Sequence, residues 1–521
     1  MSKAELLIAR QETLASREAC GITAIFSKTG ENVSPMIPPL QHELQHRGYD
    51  SAGIGVWNNG AIDVHVGRGK VKEVFPPDFP FKDSDRGVGH NRYGTSGGAN
   101  KDDVRGSQPV VSKYGSRKLA LAYNGNLPDE VREKLKLRIP EELQDSMFDT
   151  EDIANAIVSA EGGDWEEKIR NGLNGIELAY SLTLLTDDGR VFGLRGPSGT
   201  WPLWYGETED KIIFASETRV YKDENIKWEE VEPGELVEAT PTGVSKRKIF
   251  EETTPLFRCT LHDTYGGKED SLMTKGVKYE TFRRELGREL AREHPMADVD
   301  LIVGVPETGL VMAEGYAEEL GRKPTVLIKK NTENKESESR GFIAPDLDKT
   351  SIIVSRKYKI EDKKQARDKR ILLIDDSLIR GKTMGGDPKK NLKGVVGFVR
   401  DAGAEKIHLA VVLPKFVNGC DMGYYIEKGQ LIALVKKEDG LYEELDEKAV
   451  ATRIGADSVH YLSIDGIKNV YKKFFGNRNV ACMACMGQPH PLDVIEAKSN
   501  GQMKKEAVVY PNSDLQKTYI S

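Results

Sequence analysis

The sequence predicts a two-part fold, an α+β half of layered sheets followed by an α/β half built on a parallel sheet. Three observations carry this. The chain has 521 residues, room for about two to four domains at roughly 150 residues each. From Cys20 to about Phe250, short apolar runs such as GITAIF, AGIGVW, KLALAYNG, YSLTLLT and KIIFAS are broken by Gly and Asn, the pattern of strands joined by turns. Beyond about Cys259, strand-sized apolar runs alternate with helical ones, which implies parallel strands and crossover connections.

In the first half one helix is expected over roughly Thr150–Ala160, with acids in its first turn. In the second half Leu301–Val305 reads as a strand, Pro306–Gly309 as a loop, and GLVMAEGYAEELG as a helix that stops at Gly321. Strands at Thr325–Lys329 and Arg370–Asp375 come next. A Gly-rich loop, a helix over Lys393–Ala402 and a strand over Lys406–Leu413 follow. The change of texture sets a domain boundary near residues 250–258. A polar stretch, Asn331–Arg340, and a polar tail after about Pro489 stand apart.

The charge balance excludes some classes. Lys and Arg number 75 against 82 Asp and Glu, a net −7 with the signs interspersed, so neither nucleic acid nor an anionic membrane is an expected partner. No apolar run approaches the roughly 18 residues of a membrane span. Arg10, Glu12, Arg17 and Glu18 interrupt every stretch that could serve as a signal peptide, so the expected compartment is the cytoplasm. The five cysteines, Cys20, Cys259, Cys420, Cys482 and Cys485, are too few for a disulfide scaffold and odd in number.

Cys20 leads into the first apolar run, and alone it would read as a small buried hydrophobe. Four polar, Gly-bearing clusters follow it: His46-Arg47-Gly48-Tyr49-Asp50, Gly89-His90-Asn91-Arg92-Tyr93-Gly94-Thr95, Tyr123-Asn124-Gly125-Asn126-Leu127 and Phe148-Asp149-Thr150-Glu151. In this order they resemble the class II glutamine amidotransferases, an N-terminal-nucleophile hydrolase (αββα) fold, over nearly all of residues 20–250. The resemblance implies that Cys20 becomes the N-terminal nucleophile and that its own α-amine, titrating near 8, acts as base. Residues 1–19 would then be a propeptide cut between Ala19 and Cys20. It also implies Arg92 on the glutamine α-carboxylate and Asp149 on the α-ammonium. Asn124 with the backbone N–H of Gly125 would form the oxyanion hole. Without the resemblance, Arg92 would read as a surface ion pair and Asp149 as a helix cap.

The stretch Ile371-Leu372-Leu373-Ile374-Asp375-Asp376-Ser377-Leu378-Ile379-Arg380-Gly381-Lys382-Thr383 runs an apolar strand into two acids and a Gly-bearing loop. Such a turn can offer carboxylates to a sugar diol or Mg²⁺ and N–H groups to a phosphate; a capped loop is the plain alternative. It resembles the phosphoribosyl pyrophosphate signature of type I phosphoribosyltransferases. By that resemblance Asp375 and Asp376 contact the ribose hydroxyls and Mg²⁺, and Ser377 through Thr383, with Arg380 and Gly381, cradle the 5-phosphate. Val305–Gly309 would be the pyrophosphate-side loop, with Thr308 a further Mg²⁺ ligand. Lys329 and Arg340 would belong to a loop that closes over the pyrophosphate. The chain departs from the usual pattern at NTENKESESRGF, at Gly381-Lys382-Thr383 in place of Gly-Thr-Thr, and in an insertion at Met384–Pro388.

Cys482-Met483-Ala484-Cys485 with Cys259 and Cys420 fits a zinc site, a [4Fe–4S] cluster, a redox pair or scattered structural thiols, and spacing does not choose. The two domains in this order resemble the amidophosphoribosyltransferase family over about residues 20–490. The propeptide, the four cysteines and the stretch Ala456–Ser463 resemble its Bacillus-type subgroup. That resemblance implies a structural [4Fe–4S] cluster on Cys259, Cys420, Cys482 and Cys485. The implied division is 1–19 propeptide, 20–255 amidotransferase, 256–490 phosphoribosyltransferase with cluster segment, and 491–521 tail. The implied reaction turns glutamine, phosphoribosyl pyrophosphate and water into 5-phosphoribosylamine, glutamate and pyrophosphate, the first step of purine synthesis, in a homo-oligomer. Two alternatives stand beside it: a paralogue aminating a different phosphoribosyl substrate, suggested by the altered loops, and a regulatory binder without turnover. Hexosamine-forming amidotransferases share the His46–Asp50 motif but carry sugar isomerase domains in place of the Asp-Asp loop.

Overall fold

A computed structural model describes residues 20–92, 104–176, 179–250, 256–331, 357–387, 392–420, 422, 424, 426–476 and 479–490. The expected propeptide, Arg340 and the tail lie outside the described residues.

The first half is built on β1 (Gly21–Ser27), β2 (Ser51–Asn58), β3 (Ala61–Arg68), β4 (Arg86–Arg92), β5 (Val110–Tyr114), β6 (Arg117–Gly125) and β7 (Tyr180–Thr186). It continues with β8 (Val191–Arg195), β9 (Trp204–Glu207), β10 (Lys211–Ala215), β11 (Lys227–Glu230), β12 (Glu235–Thr240) and β13 (Gly243–Lys248). One sheet runs β11-β9-β10-β1-β4-β2-β3 and the other β13-β12-β8-β7-β6-β5. Ile22, Ala24 and Phe26 of β1 pack between the sheets with Ala120, Ala122, Leu185 and Val191. Ile25 points the other way, with Ile54 and Val56, onto Ile37 and Leu40 of α1 (Ile37–Glu43). The far face of the second sheet, Leu119, Leu121, Leu182 and Leu184, packs on Ile153 and Ile157 of α2 (Asp149–Ser159) and on Trp165 and Ile169 of α3 (Trp165–Leu173). The layers therefore run helix, sheet, sheet, helix. Burial of β1 on both faces is why its run lacks polar alternation.

The second half opens with β14 (Leu256–Cys259), then α4 (Tyr279–Glu293), β15 (Leu301–Gly304), α5 (Thr308–Glu319), β16 (Ile328–Lys330), β17 (Tyr358–Ile360) and β18 (Arg370–Asp375). It closes with α6 (Val395–Asp401), β19 (Lys406–Val411), α7 (Glu447–Ile454), β20 (Ser458–Tyr461), α8 (Ile464–Phe475) and β21 (Asn479–Cys482). The central sheet, β15-β18-β19-β20, is parallel throughout. α4 and α5 cross closely because Gly287 and Gly315 carry no side chain: a Cβ on the first would strike the Met312 carbonyl, and on the second the Arg284 carbonyl. The apolar core of the second sheet continues into Phe282, Tyr316, Leu372 and Phe475, so the halves share one core.

Two elements differ from expectation. The strand expected over Thr325–Lys329 begins at Ile328 and pairs antiparallel with β17 outside the parallel sheet, since its partner ends at Ile360. α6 starts at Val395 because Leu392–Lys393 pairs instead with Gly386–Asp387, a short antiparallel bridge within the insertion.

Candidate active site

Cys20 stands immediately before β1, whose register sets Gly21 opposite Asn91 and so brings Arg92, the last residue of β4, beside it. Burial lowers the pKa of the Arg92 guanidinium, and the charges of Cys20, Asp50 and Asp149 counter it. Arg92 Nη1 donates to the Arg105 carbonyl at 3.0 Å, and the guanidinium lies 5.2 Å from the centre of the Phe148 ring. Asp149 opens α2; its carboxylate accepts from Thr150 N at 3.0 Å and from Leu127 N at 3.2 Å. Asn124 and Gly125 end β6. The Asn124 amide nitrogen is buried without a hydrogen-bond partner among the described residues, which costs stability. A Cβ on Gly125 would press to 2.6 Å on Tyr123 Oη and 2.9 Å on the Ala179 carbonyl, which is why this position carries Gly. The Cys20 carbonyl accepts from Arg47 Nε at 3.0 Å.

The second site forms where β18 delivers Asp375 and Asp376, both buried, to the tip of the parallel sheet. Thr308, first in α5, hydrogen-bonds Asp376 through its hydroxyl, and Ser377 Oγ donates to Asp376 Oδ1 at 2.6 Å. Burial and the neighbouring Asp376 push the Asp375 carboxyl well above the usual range. Gly381 has φ of 71°, a left-handed turn that suits Gly. Lys382, where Thr is usual, places Nζ 2.9 Å from Asp387 Oδ2 in the insertion. Arg380 Nε donates to Gln430 Oε1 at 2.6 Å.

Thr308, Asp375, Asp376, Ser377, Arg380, Gly381 and Thr383 line one cavity. Lys329 does not join them: it is half-exposed and its Nζ lies 2.7 Å from Glu361 Oε2. Lys330 lines the cavity instead, its Nζ 2.7 Å from Glu307 Oε1. Alternate residues of a strand face opposite sides, so Lys330 and not the expected Lys329 faces the cavity. Arg340 lies outside the described residues. The cavity is also lined by residues the sequence left without a role: His46, Tyr49, Tyr265, Lys268, Lys357 and Tyr358. The one available signal was the His46–Asp50 motif, more polar than a turn requires.

β14 and β21 pair in parallel with Cys259 opposite Cys482. The Cys485 carbonyl accepts from Val417 N at 2.9 Å and Asn418 N at 3.0 Å, fastening its segment beside that of Cys420. Burial, then the neighbouring Cys482 and Cys420, pushes the Cys259 thiol up; burial, then Cys420, Cys482 and Cys259, does the same to Cys485. The four thiols are thus neighbours, although among the described residues no group of three or more His, Cys, Asp or Glu is arranged to hold a metal ion. Among the described residues no helix is long and apolar enough to cross a membrane.

Two family models match the chain: a glutamine amidotransferase domain over residues 96–222 and a phosphoribosyl transferase domain over residues 284–420. The fold and its two sites thus define a glutamine amidotransferase joined to a phosphoribosyltransferase. The amidophosphoribosyltransferase of Synechococcus elongatus is 31% identical over 505 residues, covering 94% of this chain and 95% of that one. The solved structure of an allosteric regulatory enzyme of purine biosynthesis superposes with a TM-score of 0.74 at 28% identity, over 90% of this chain and 95% of that one. The glutamine phosphoribosylpyrophosphate amidotransferase of B. subtilis, solved with ADP and GMP, gives 0.72 at 27% identity, over 90% and 96%. The chain belongs to the amidophosphoribosyltransferase family.

Proposed function

We propose that the chain hydrolyses glutamine at Cys20 and delivers the ammonia to C1 of phosphoribosyl pyrophosphate, giving 5-phosphoribosylamine, glutamate and pyrophosphate. The observation that carries this is the composite cavity: His46 and Tyr49, from the nucleophile's own domain, line the pocket that holds Asp375 and Asp376. The activities for which its relatives are named support the same reading.

In this reading residues 1–19 are removed and the freed α-amine takes the Cys20 proton. The thiolate attacks the carboxamide carbon, and the unpartnered Asn124 amide with the Gly125 N–H receives the developing oxyanion. Arg92 and Asp149 hold the two charged ends of the amino acid, so only the side-chain amide meets the sulfur. The α-ammonium returns its proton to the departing nitrogen, ammonia leaves, and water releases glutamate from the thioester. Ammonia must avoid bulk water, where it would be protonated and lose its nucleophilicity. A buried junction supports a shielded passage. Tyr180 pairs with Gly125, and Ser181 Oγ donates to the Trp201 carbonyl at 2.9 Å. The Trp201 ring lies 5.5 Å from both the His262 and the Tyr424 rings, and Tyr265 follows at the cavity wall. At C1, departure of pyrophosphate leaves oxocarbenium-like charge that ammonia quenches.

Asp375, Asp376 and Thr308 offer hard oxygen donors on one side of the cavity, a set that suits Mg²⁺. When bound it would neutralise charge on the pyrophosphate. The four neighbouring thiols suit a [4Fe–4S] cluster by donor chemistry. Held there, it would tie β14 and β21 to the Cys420 segment and serve structure. The family also carries the expectation of a cytoplasmic homo-oligomer, which light scattering on the purified chain reads for its oligomeric part.

The test is pyrophosphate and phosphoribosylamine formation with glutamine or with ammonia, on wild type and Cys20→Ala. Glutamine-dependent product should vanish in the variant while the ammonia-dependent rate stays within about twofold. Equal loss with both nitrogen donors contradicts the reading. Activity only with another phosphoribosyl compound would favour the paralogue that the altered loops suggest.

A further inference from the structure

Glu217 lies just beyond β10 and is 1% exposed. Its carboxylate is shared between the two halves. Oε1 lies 2.8 Å from His46 Nε2 and 2.8 Å from Arg47 Nη1. Oε2 accepts from the Lys268 backbone N–H at 2.9 Å and from Ser271 Oγ at 3.1 Å. The next residue repeats the link, since Thr218 Oγ1 accepts from Leu272 N at 3.0 Å. Burial alone would raise the pKa of this carboxyl, but His46 and Arg47 outweigh burial and hold it well below the usual range.

From that one carboxylate, contacts run to both sites. Arg47, whose Nη1 it holds, uses Nε to fix the Cys20 carbonyl at 3.0 Å. Lys268, whose backbone it holds, extends Nζ to 3.4 Å from Glu307 Oε2 in the pyrophosphate-side loop. His46 and Lys268 both line the cavity with Asp375 and Asp376. A ligand that shifts either one must shift partners of a buried charge, and such a charge tolerates few arrangements. An ion pair that only glued the halves together would not need its arginine on the nucleophile's own backbone.

We propose that Glu217 is a positioning residue that links occupancy of the sugar-phosphate cavity to the placement of Cys20. Glutamine is then hydrolysed fast only when the acceptor is present. This rests on the function proposed above.

The test measures glutamate release from glutamine with and without phosphoribosyl pyrophosphate and Mg²⁺, alongside ammonia-dependent pyrophosphate release. It uses the full mature chain as wild type, Glu217→Gln and Ser271→Ala. Wild-type glutaminase should be stimulated about tenfold by the sugar phosphate, in the usual range of coupling between sites. Both variants should lose most of that stimulation, keeping ammonia-dependent kcat and the KM for phosphoribosyl pyrophosphate within about twofold of wild type. Ser271→Ala leaves the Glu217–Arg47 pair in place, so it decides the matter if Glu217→Gln does not fold. Undiminished stimulation in the variants, a parallel fall of ammonia- and glutamine-dependent rates, or an unstimulated wild type each overturns the proposal. A wild type that makes no product even from ammonia overturns the functional reading, and the proposal with it.

Discussion

Asn124 shows what a single side chain contributes. Its amide nitrogen is buried and unsatisfied among the described residues, at a cost to stability, and in the proposed function this is the donor that receives the oxyanion. Asn124→Ala should lower glutamine-dependent kcat by about 10²–10³-fold and leave the ammonia-dependent rate unchanged in a steady-state assay. A similar loss with ammonia would remove Asn124 from the glutamine site. At this scale the sequence was legible where a motif fixes both residue and strand end, as at Asn124-Gly125 and Asp375-Asp376. It was not legible at Lys329 and Lys330, because which neighbour faces inward depends on the pairing with Tyr358–Ile360. Lys268 could not be found either, since its contacts lie across the chain at Glu217 and Glu307.

Among the elements, β4 carries the clearest pH dependence. His90 is fully buried between β1 and β2, with Nε2 3.2 Å from the Tyr123 carbonyl and Nδ1 without a partner among the described residues. Burial pulls its pKa down to about 3. Below about pH 6.5 the unfolded chain therefore binds a proton here that the folded chain refuses, so stability falls as pH drops toward 3. At pH 5 the term is about 2 kcal/mol. The urea midpoint should fall between pH 7.5 and pH 5, and His90→Gln should flatten that slope; an equal slope in the variant would exonerate His90. The half-buried His408 and His460, whose pKa values burial also lowers, act in the same sense. The strands themselves were legible because β1 and β18 are buried on both faces and read as unbroken apolar runs. The bridge at Gly386–Asp387 was not, because two residues of pairing leave no periodic pattern in a sequence.

At the scale of the molecule, the order of domains was legible but their junction was not. Motifs lie within one domain each, whereas the cavity joins His46 to Asp375 and the core runs from Leu119 to Phe475. Two properties of the whole chain follow from the proposed function. Intact-mass measurement of active enzyme should show a chain beginning at Cys20, and an intact Met1–Cys20 segment in fully active enzyme would overturn the role of the α-amine. The same preparation, made without oxygen, should carry about four iron atoms per chain with visible absorption that fades in air; zinc in their place would identify a different centre.

The proposed reaction requires nitrogen to pass from Cys20 to the sugar without entering solvent. Its most direct test is a competition in which glutamine labelled with ¹⁵N in its amide is supplied beside excess unlabelled ammonium at a pH where both support turnover. A shielded passage gives product carrying the glutamine label well above the isotopic ratio of the medium. Product diluted to that ratio would mean that ammonia escapes before transfer, and the two sites would then share a chain without sharing a reaction.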